Sequence, residues 1–264
     1  MNLLLDHLVH FIKGNPAEAV AKWRNFGYKA VFGGKHENWG TYNSLLYIGH
    51  SYLEFLSIEK KHIAADAENP LIKQLTEELP LGEGIGQICF RTSNIEELQV
   101  ELVRKGFETL PIFEGSRMRQ DGSILSWKML FFKENPGYKY PFFIDWGAED
   151  DRRFEELGNL GFIDENLENK KIEAVFIASN DCEKSAEAWK AIMPISMVDV
   201  YMWSDGNEKR ASVGIGSVKI IFCQPLQDEG RTMEVLKKRG EKPFAVQFSP
   251  GLEKEITLFE ADYF

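Results

Sequence analysis

The stretch LLLDHLVHFIKGNPAEAVAKWRNFGY, residues 3–28, decides the fold because it contains a strand and a complete helix in close succession. Residues 3–12 are mostly apolar and predict a buried strand. Side chains alternate along a strand, so His7 and His10, three positions apart, point to opposite faces. At most one of them faces a shared site, and a lone imidazole on such a strand usually only hydrogen-bonds to a neighbour.

The helix that follows has clear signals at both ends. Asn15 is a preferred N-cap residue, Pro16 is suited to the first helical position, and Gly27 is typical of a helix end. The stretch therefore predicts a strand followed by a helix.

The same order of elements recurs along the chain. Three strand-like runs follow the first helix, at 29–34, 41–48 and 51–58, which gives the order βαβββ over residues 1–58. Residues 84–147 repeat it, with a strand at GQICFRT, a helix at SNIEELQVELVRKG and strands at FETLPIF, SILSWKMLFF and YPFFIDW. A third copy begins at residue 171, and PFAVQFSP opens an incomplete fourth.

These repeats predict the domain organisation. Residues 1–147 are expected to form one domain of two modules, 148–170 a charged connector, and 171–264 a third module with a partial fourth. The incomplete copy leaves strand edges that have to be covered, so a homodimer is expected as one solution.

Composition restricts the function classes. The formal net charge of −10 and the absence of a long basic run argue against nucleic acid or an anionic membrane as a partner. The three cysteines are far apart and form no CxxC pair, which favours a reducing compartment. No apolar run reaches about 18 residues and no signal peptide is recognisable, so a cytoplasmic location is expected.

Repeated βαβββ units, with a histidine early in the first strand and a glutamate in the fourth, resemble the vicinal oxygen chelate superfamily, which includes glyoxalase I and extradiol dioxygenases. The segments LDHLVHF, GGKHENWGTYNSLLYIGHSYLEFL, SRMRQDGSILSWKM and PFFIDWG are similar to its glyoxalase-like domain family, over roughly residues 3–147. The resemblance implies an α+β fold, in which paired modules form a curved, partly open barrel around a divalent metal ion.

Carried over by position, the resemblance implies that His7, Glu54 and Gln87 are metal ligands. The fourth ligand position falls at Phe143, and Asp145 is the only carboxylate nearby, so a fourth ligand is not expected. An imidazole with a carboxylate and an amide suits zinc, nickel, cobalt or manganese better than iron. Three ligands leave positions open for water or substrate, although such a site is also compatible with a weak or vestigial metal centre.

Other marked residues have two interpretations each. Glu54 could act as a general base instead of a ligand, and His36 is the second acid–base candidate. Residues predicted to contact substrate are Trp39, Thr41, Asn43 and Trp127, although an ordinary hairpin loop with a core tryptophan explains the first three equally well. Arg117, which shares a face with Arg119, is predicted to contact an anionic group of the substrate, although such residues more often belong to a solvated strand face.

Two functions are compatible with these residues. The first is a metal-dependent lyase or isomerase of the glyoxalase type, acting on a small oxygenated metabolite or a thiol conjugate. The second is non-catalytic binding of a small molecule, as in resistance proteins of the same superfamily. One fold hosts both, so the fold alone does not decide.

Overall fold

The computed structural model describes residues 3–118 (117 and 118 by backbone only), 124–133, 140–195, 197–203 and 206–264. The first module consists of β1 (Leu4–Phe11), α1 (Pro16–Asn25), β2 (Val31–His36), β3 (Thr41–Ile48) and β4 (Ser51–Ile58). Asn15 caps α1 as predicted: its side chain accepts from the Ala17 amide, and Glu18 completes the capping box. Gly27, just beyond the helix, has a φ of 85°, which glycine adopts without strain.

Two short helices, α2 (Lys61–Asp66) and α3 (Pro70–Glu78), lead to the second module. The second module consists of β5 (Gly84–Arg91), α4 (Ile95–Arg104), β6 (Phe113–Met118), β7 (Ile124–Leu130) and β8 (Phe142–Asp145). The predicted strand at 107–113 is wrong, since β6 begins only at Phe113 and Thr109 forms an isolated bridge with Phe132. Pro111, which has no N–H, stands between them and interrupts the ladder.

The two modules form one eight-stranded sheet with the order β2-β3-β4-β1-β5-β8-β7-β6. The central pair, β1 and β5, is antiparallel, whereas β1 pairs with β4 and β5 pairs with β8 in parallel. The edge strands β2 and β6 approach each other, so the sheet curls into a nearly closed barrel with one open seam. The α+β fold of paired βαβββ modules is confirmed.

The rest of the chain forms a second sheet. Two helices, α5 (Asp150–Asn159) and α6 (Glu165–Glu168), precede it. Its elements are β9 (Lys171–Ala178), α7 (Cys182–Ile192), β10 (Val198–Met202), β11 (Glu208–Ile215), β12 (Val218–Pro225), α8 (Arg231–Arg239), β13 (Pro243–Ser249), β14 (Ile256–Leu258) and β15 (Ala261–Tyr263). The strand order is β10-β11-β12-β9-β13-β15-β14, so the described strands of this sheet number seven where the barrel has eight.

One continuous core joins the two sheets. It contains apolar side chains from the outer faces of both sheets and from helices α1, α4 and α7. Trp23 of α1 lies edge-on to Tyr263 of β15, with ring centroids 5.2 Å apart. None of the helices in the described part of the chain is long and apolar enough to cross a bilayer. The inner face of the barrel carries a separate apolar cluster, and this face forms the candidate site.

Candidate functional site

The barrel encloses a cavity of about 690 Å³, a size typical of small-molecule sites. Apolar side chains form most of its wall, among them the aromatic ones of Trp39, Trp127, Trp146, Tyr52 and Phe142. Among the described residues, the charged, imidazole and amide side chains on the wall are those of His7, Lys35, His36, Asn43, Glu54, Arg153 and Glu156. A largely apolar cavity with a few convergent polar groups is the usual form of a ligand site.

His7 enters the cavity beside an irregularity in β1. The pairing of β1 with β5 shifts by one residue between Leu5 and His7, so Asp6 forms a β-bulge. The bulge allows neighbouring residues to interact, and the Nδ1 of His7 donates to Asp6 Oδ1 at 2.7 Å. Tyr52 stacks on the imidazole with ring centroids 4.6 Å apart. His7 is therefore fixed in orientation, with its Nε2 directed towards the cavity.

Asp6 is completely buried, and its second carboxylate oxygen also accepts hydrogen bonds. Oδ2 accepts from Trp146 Nε1 and from an Arg153 guanidinium nitrogen, both at 3.1 Å, and Arg91 lies 3.9 Å away. Burial alone would raise the pKa of Asp6, but Arg153, then His7 and Arg91, hold that pKa well below its usual range. Asp6 is therefore a charged group that orients His7.

Glu54 is likewise fixed by a hydrogen bond to one of its carboxylate oxygens. The Asn43 side-chain amide donates to Glu54 Oε1 at 2.6 Å, and β3 and β4 present both residues to the cavity. Asn43 fits only because residue 33 is glycine: a Cβ there would lie 2.2 Å from Asn43 Oδ1. The register shift between β2 and β3 falls at the same glycine. Gly33, Asn43 and Glu54 thus form one linked arrangement.

The two supported groups face each other across a short gap. His7 Nε2 and Glu54 Oε2 are 3.6 Å apart. Because Nδ1 of His7 hydrogen-bonds to Asp6, Nε2 is the ring nitrogen that faces the Glu54 carboxylate oxygen. Two electron-rich atoms at this separation are stabilised by a proton or a cation between them. The pair is thus suited both to proton transfer and to metal binding.

Gln87, the third predicted ligand, is not among the residues that line the cavity. Its amide nitrogen donates to the Tyr140 carbonyl at 3.3 Å, and its oxygen accepts from the Ile88 amide. Gln87 pairs with Val9 in the sheet, and the residue opposite His7 is Cys89. Asp145 lies elsewhere and accepts from the Ile95 and Gly147 amides. The structure thus brings together two of the three predicted ligands.

A divalent ion fits the His7 and Glu54 donors. Metal bonds of about 2.1 Å at a tetrahedral angle separate two ligand atoms by about 3.4 Å, close to the 3.6 Å between these atoms. Asp6, His7 and Cys89 also offer donor atoms within 4.8 Å of one another. However, the Asp6 oxygens already accept from cations and N–H groups, and burial raises the pKa of the Cys89 thiol well above its usual range. The His7 and Glu54 donor atoms are therefore the less engaged of the two sets.

The predicted substrate-contacting residues can be located in part. His36, Trp39, Asn43 and Trp127 line the cavity. Thr41 is buried behind them and hydrogen-bonds to His36 Nδ1 at 3.0 Å. For Arg117 only the backbone, within β6, is described, and Arg119 lies outside the described residues, so the predicted pair of arginines stays a prediction.

Sequence reasoning missed the part of the wall that comes from residues 148–170. This segment was expected to be a connector, yet Arg153, Leu157, Leu160 and Phe162 line the cavity. The amphipathic pattern of α5 indicates a helix but not the surface that it covers. Asp6 was also missed, because strand alternation places it on the face opposite His7 and a bulge leaves no clear signal in the sequence.

Comparison with known proteins shows one family. The family model described as "Glyoxalase-like domain" matches residues 5–193, which includes α5 and the start of the second sheet. No curated protein matches the chain.

Two solved structures share the fold with this chain at a sequence identity of 20% or less. A hypothetical protein from Staphylococcus aureus is similar over 99% of this chain and 98% of its own, with a TM-score of 0.76 and 20% identity. A mutant of 4-hydroxymandelate synthase from Streptomyces coelicolor is similar over 92% of this chain and 70% of its own, with a TM-score of 0.57 and 10% identity. At these identities the likeness shows the fold alone.

Proposed function

Because this chain belongs to the glyoxalase-like domain family of the vicinal oxygen chelate superfamily, we propose that it is a metal-dependent lyase or isomerase acting on a small oxygenated molecule. The observation that carries the proposal is the pair of His7 Nε2 and Glu54 Oε2, 3.6 Å apart on the cavity wall. Each is fixed from behind, by Asp6 and by Asn43. Charged and polar groups are rarely arranged so carefully in an apolar interior without use.

In this proposal His7 and Glu54 hold a divalent ion of the zinc, nickel, cobalt or manganese type. Such an ion, when bound, acts as a Lewis acid on a carbonyl or enediolate oxygen of the ligand. The chain's own residues orient the reactants: Asp6 fixes the His7 ring, and Asn43 fixes the Glu54 carboxylate. If Glu54 acts as a general base instead of a ligand, its Oε2 is the acceptor for a proton from the carbon next to the carbonyl carbon of the bound molecule.

His36 is the second candidate for proton transfer. It lies on the same cavity wall, held by Thr41, with the rings of Trp39 and Trp127 5.5 and 6.2 Å away. The tryptophans exclude water from a bound ligand, which strengthens electrostatic interactions in the cavity. The substrate class that suits this wall is a small molecule with an oxygen function and an apolar or thioether part.

A second function, binding without chemistry, is favoured by one specific observation. The second module contributes apolar side chains to the wall, among them Met129, Phe142 and Ile144, and Gln87 is directed elsewhere. With fewer protein ligands the cavity binds a metal ion more weakly. An aromatic cavity can bind and sequester a small molecule without a metal ion. The metal experiment separates the two functions.

The test is the metal content of protein purified without chelator, followed by titration with Zn²⁺, Ni²⁺, Co²⁺ and Mn²⁺. We expect about one bound ion per chain, and loss of binding in the double variant His7→Ala with Glu54→Ala. The matched control is His62→Ala with Glu68→Ala, which removes the same two residue types from exposed positions and should leave binding unchanged. Metal content that is equal in both double variants contradicts the proposed metal site.

A second measurement tests the chemistry. The protein is incubated in D₂O with a mixture of small oxygenated metabolites, and NMR detects deuterium incorporation at carbon. Incorporation that disappears in Glu54→Gln supports proton transfer by Glu54. Binding of a component without any exchange or turnover favours the second function.

A further inference from the structure

We infer that Arg153 binds an acidic group of the ligand, so that the molecule taken up by the cavity is a small organic acid with an apolar body. The inference rests on the proposed function in so far as both place the ligand in the barrel cavity. It names the chemical class of that ligand. It does not depend on a metal ion or on turnover.

The first step is the position of Arg153. It belongs to α5, outside the two barrel modules, and its side chain forms part of the cavity wall. The guanidinium group stacks over the Trp146 ring, 4.2 Å from its centroid, and lies 5.1 Å from that of Phe154. The group is therefore held in place by aromatic rings before any ligand arrives.

The second step is its hydrogen-bonding capacity. A guanidinium group has five N–H donors, and one of the Arg153 nitrogens donates to Asp6 Oδ2 at 3.1 Å. The side chain retains about a tenth of its surface exposed, at the cavity. The planar fork of an arginine matches a carboxylate or a phosphate, which accept two parallel hydrogen bonds.

The third step is the charge around Asp6. Two buried guanidinium groups, those of Arg91 and Arg153, lie beside this single buried carboxylate. Arg91 is directed away from the cavity, where it donates to the Leu5 and His50 carbonyls and to the partly exposed Asp150. Arg91 is therefore paired mainly with Asp150, and Arg153 is the guanidinium of this cluster that faces the cavity.

These charges also orient the ligand. An acidic group is repelled by Glu54 and attracted by Arg153. His7 lies between these two residues, because it contacts Glu54 and also Asp6, the ion-pair partner of Arg153. A ligand anchored at Arg153 thus extends its apolar body along the tryptophans and passes over His7.

The test uses a matched pair of probes, 4-(trifluoromethyl)phenylacetate and its neutral primary amide, with binding measured by ¹⁹F NMR. We expect the wild-type protein to bind the acid at least tenfold more tightly than the amide, as for a charge-assisted pair. In Arg153→Gln this preference should disappear, and in Arg153→Lys it should be partly retained. Arg152→Gln, an exposed neighbour on the same helix, is the control and should behave as the wild type.

Glu156 provides a variant of opposite sign. It lies on the cavity wall one helical turn after Arg153, so Glu156→Gln should strengthen binding of the acid. Because Arg153→Gln removes one of the cations beside the buried Asp6 charge, Asp6→Asn with Arg153→Gln serves as a second variant. It removes both charges and should equally lack the preference.

Each outcome decides the inference. The inference is overturned if the wild type binds acid and amide equally or does not bind the acid. It is also overturned if the preference for the acid persists both in Arg153→Gln and in Asp6→Asn with Arg153→Gln. The double variant His7→Ala with Glu54→Ala should keep the preference for the acid. That variant separates the two proposals, because it abolishes the proposed metal site and leaves Arg153 in place.

Discussion

Acidification should destabilise the fold through His10, the histidine on the outer face of β1. His10 is completely buried between the two sheets. Its Nε2 donates to the Phe259 carbonyl at 2.8 Å, and its Nδ1 accepts from the Tyr263 hydroxyl at 2.5 Å. Both contacts suit the neutral ring. Burial lowers the pKa of His10 to about 3 from an ordinary value of 6.5.

The direction and size of the effect follow from linkage. The unfolded chain takes up a proton at His10 below pH 6.5 and the folded chain does not, so the free energy of unfolding falls as the pH falls. From pH 7 to pH 5 this single group reduces the free energy of unfolding by about 2 kcal/mol, at 1.36 kcal/mol per pKa unit. The loss continues until the pH reaches the folded pKa of about 3.

Urea unfolding at pH 7, 6 and 5 measures this effect in the wild type and in His10→Gln. At an m-value of about 3 kcal/mol/M, the His10 contribution corresponds to a midpoint about 0.6 M lower at pH 5 than at pH 7. His10→Gln should be less stable at pH 7 by about 1–3 kcal/mol, because a buried hydrogen bond is lost, but it should lack this pH dependence.

His62→Gln is the control, because His62 is exposed and its replacement should leave the pH dependence as in the wild type. Carboxylates with lowered pKa values, such as Asp6, act on stability at lower pH and cancel in the comparison. An equal loss of stability between pH 7 and 5 in the wild type and in His10→Gln would refute the reasoning.

Two further predictions follow from the structure. Gly33→Ala should displace Asn43 and thereby free the Glu54 carboxylate from its hydrogen bond. We expect calorimetry to show a loss of about 1–3 kcal/mol in the free energy of unfolding, and metal titration to show weaker binding. The control is Gly158→Ala, because a Cβ at Gly158 meets no other atom within 4 Å. Within the described residues no strand covers β10, the edge strand of the second sheet, and Val200 and Met202 are exposed there. We therefore expect light scattering to show a dimer of twice 30.3 kDa that Val200→Lys dissociates, and a wild-type monomer at 100 μM would contradict this.

Much of the fold could be predicted because its signals are local. Periodicity and caps identified α1, β3 and β4, and the repeated βαβββ order indicated the paired modules. The errors occurred where tertiary pairing overrides local pattern, as in β6, whose start is decided by its partner β7 and by Pro111. The placement of His7 and Glu54 on one cavity wall was implied by the family resemblance, not by a local pattern in the chain.

The sequence by itself determined which residue types alternate along each strand and how often the module repeats, since both depend only on neighbours in the chain. Only the tertiary structure decided which residue hydrogen-bonds to His7 and which residue pairs with it across the sheet. A bulge brought Asp6 to it, a helix more than 140 residues away supplied Arg153, and the register of β5 placed Cys89 rather than Gln87 across from it. A one-residue shift in register changes the face of every side chain, and no local signal in the chain encodes that shift.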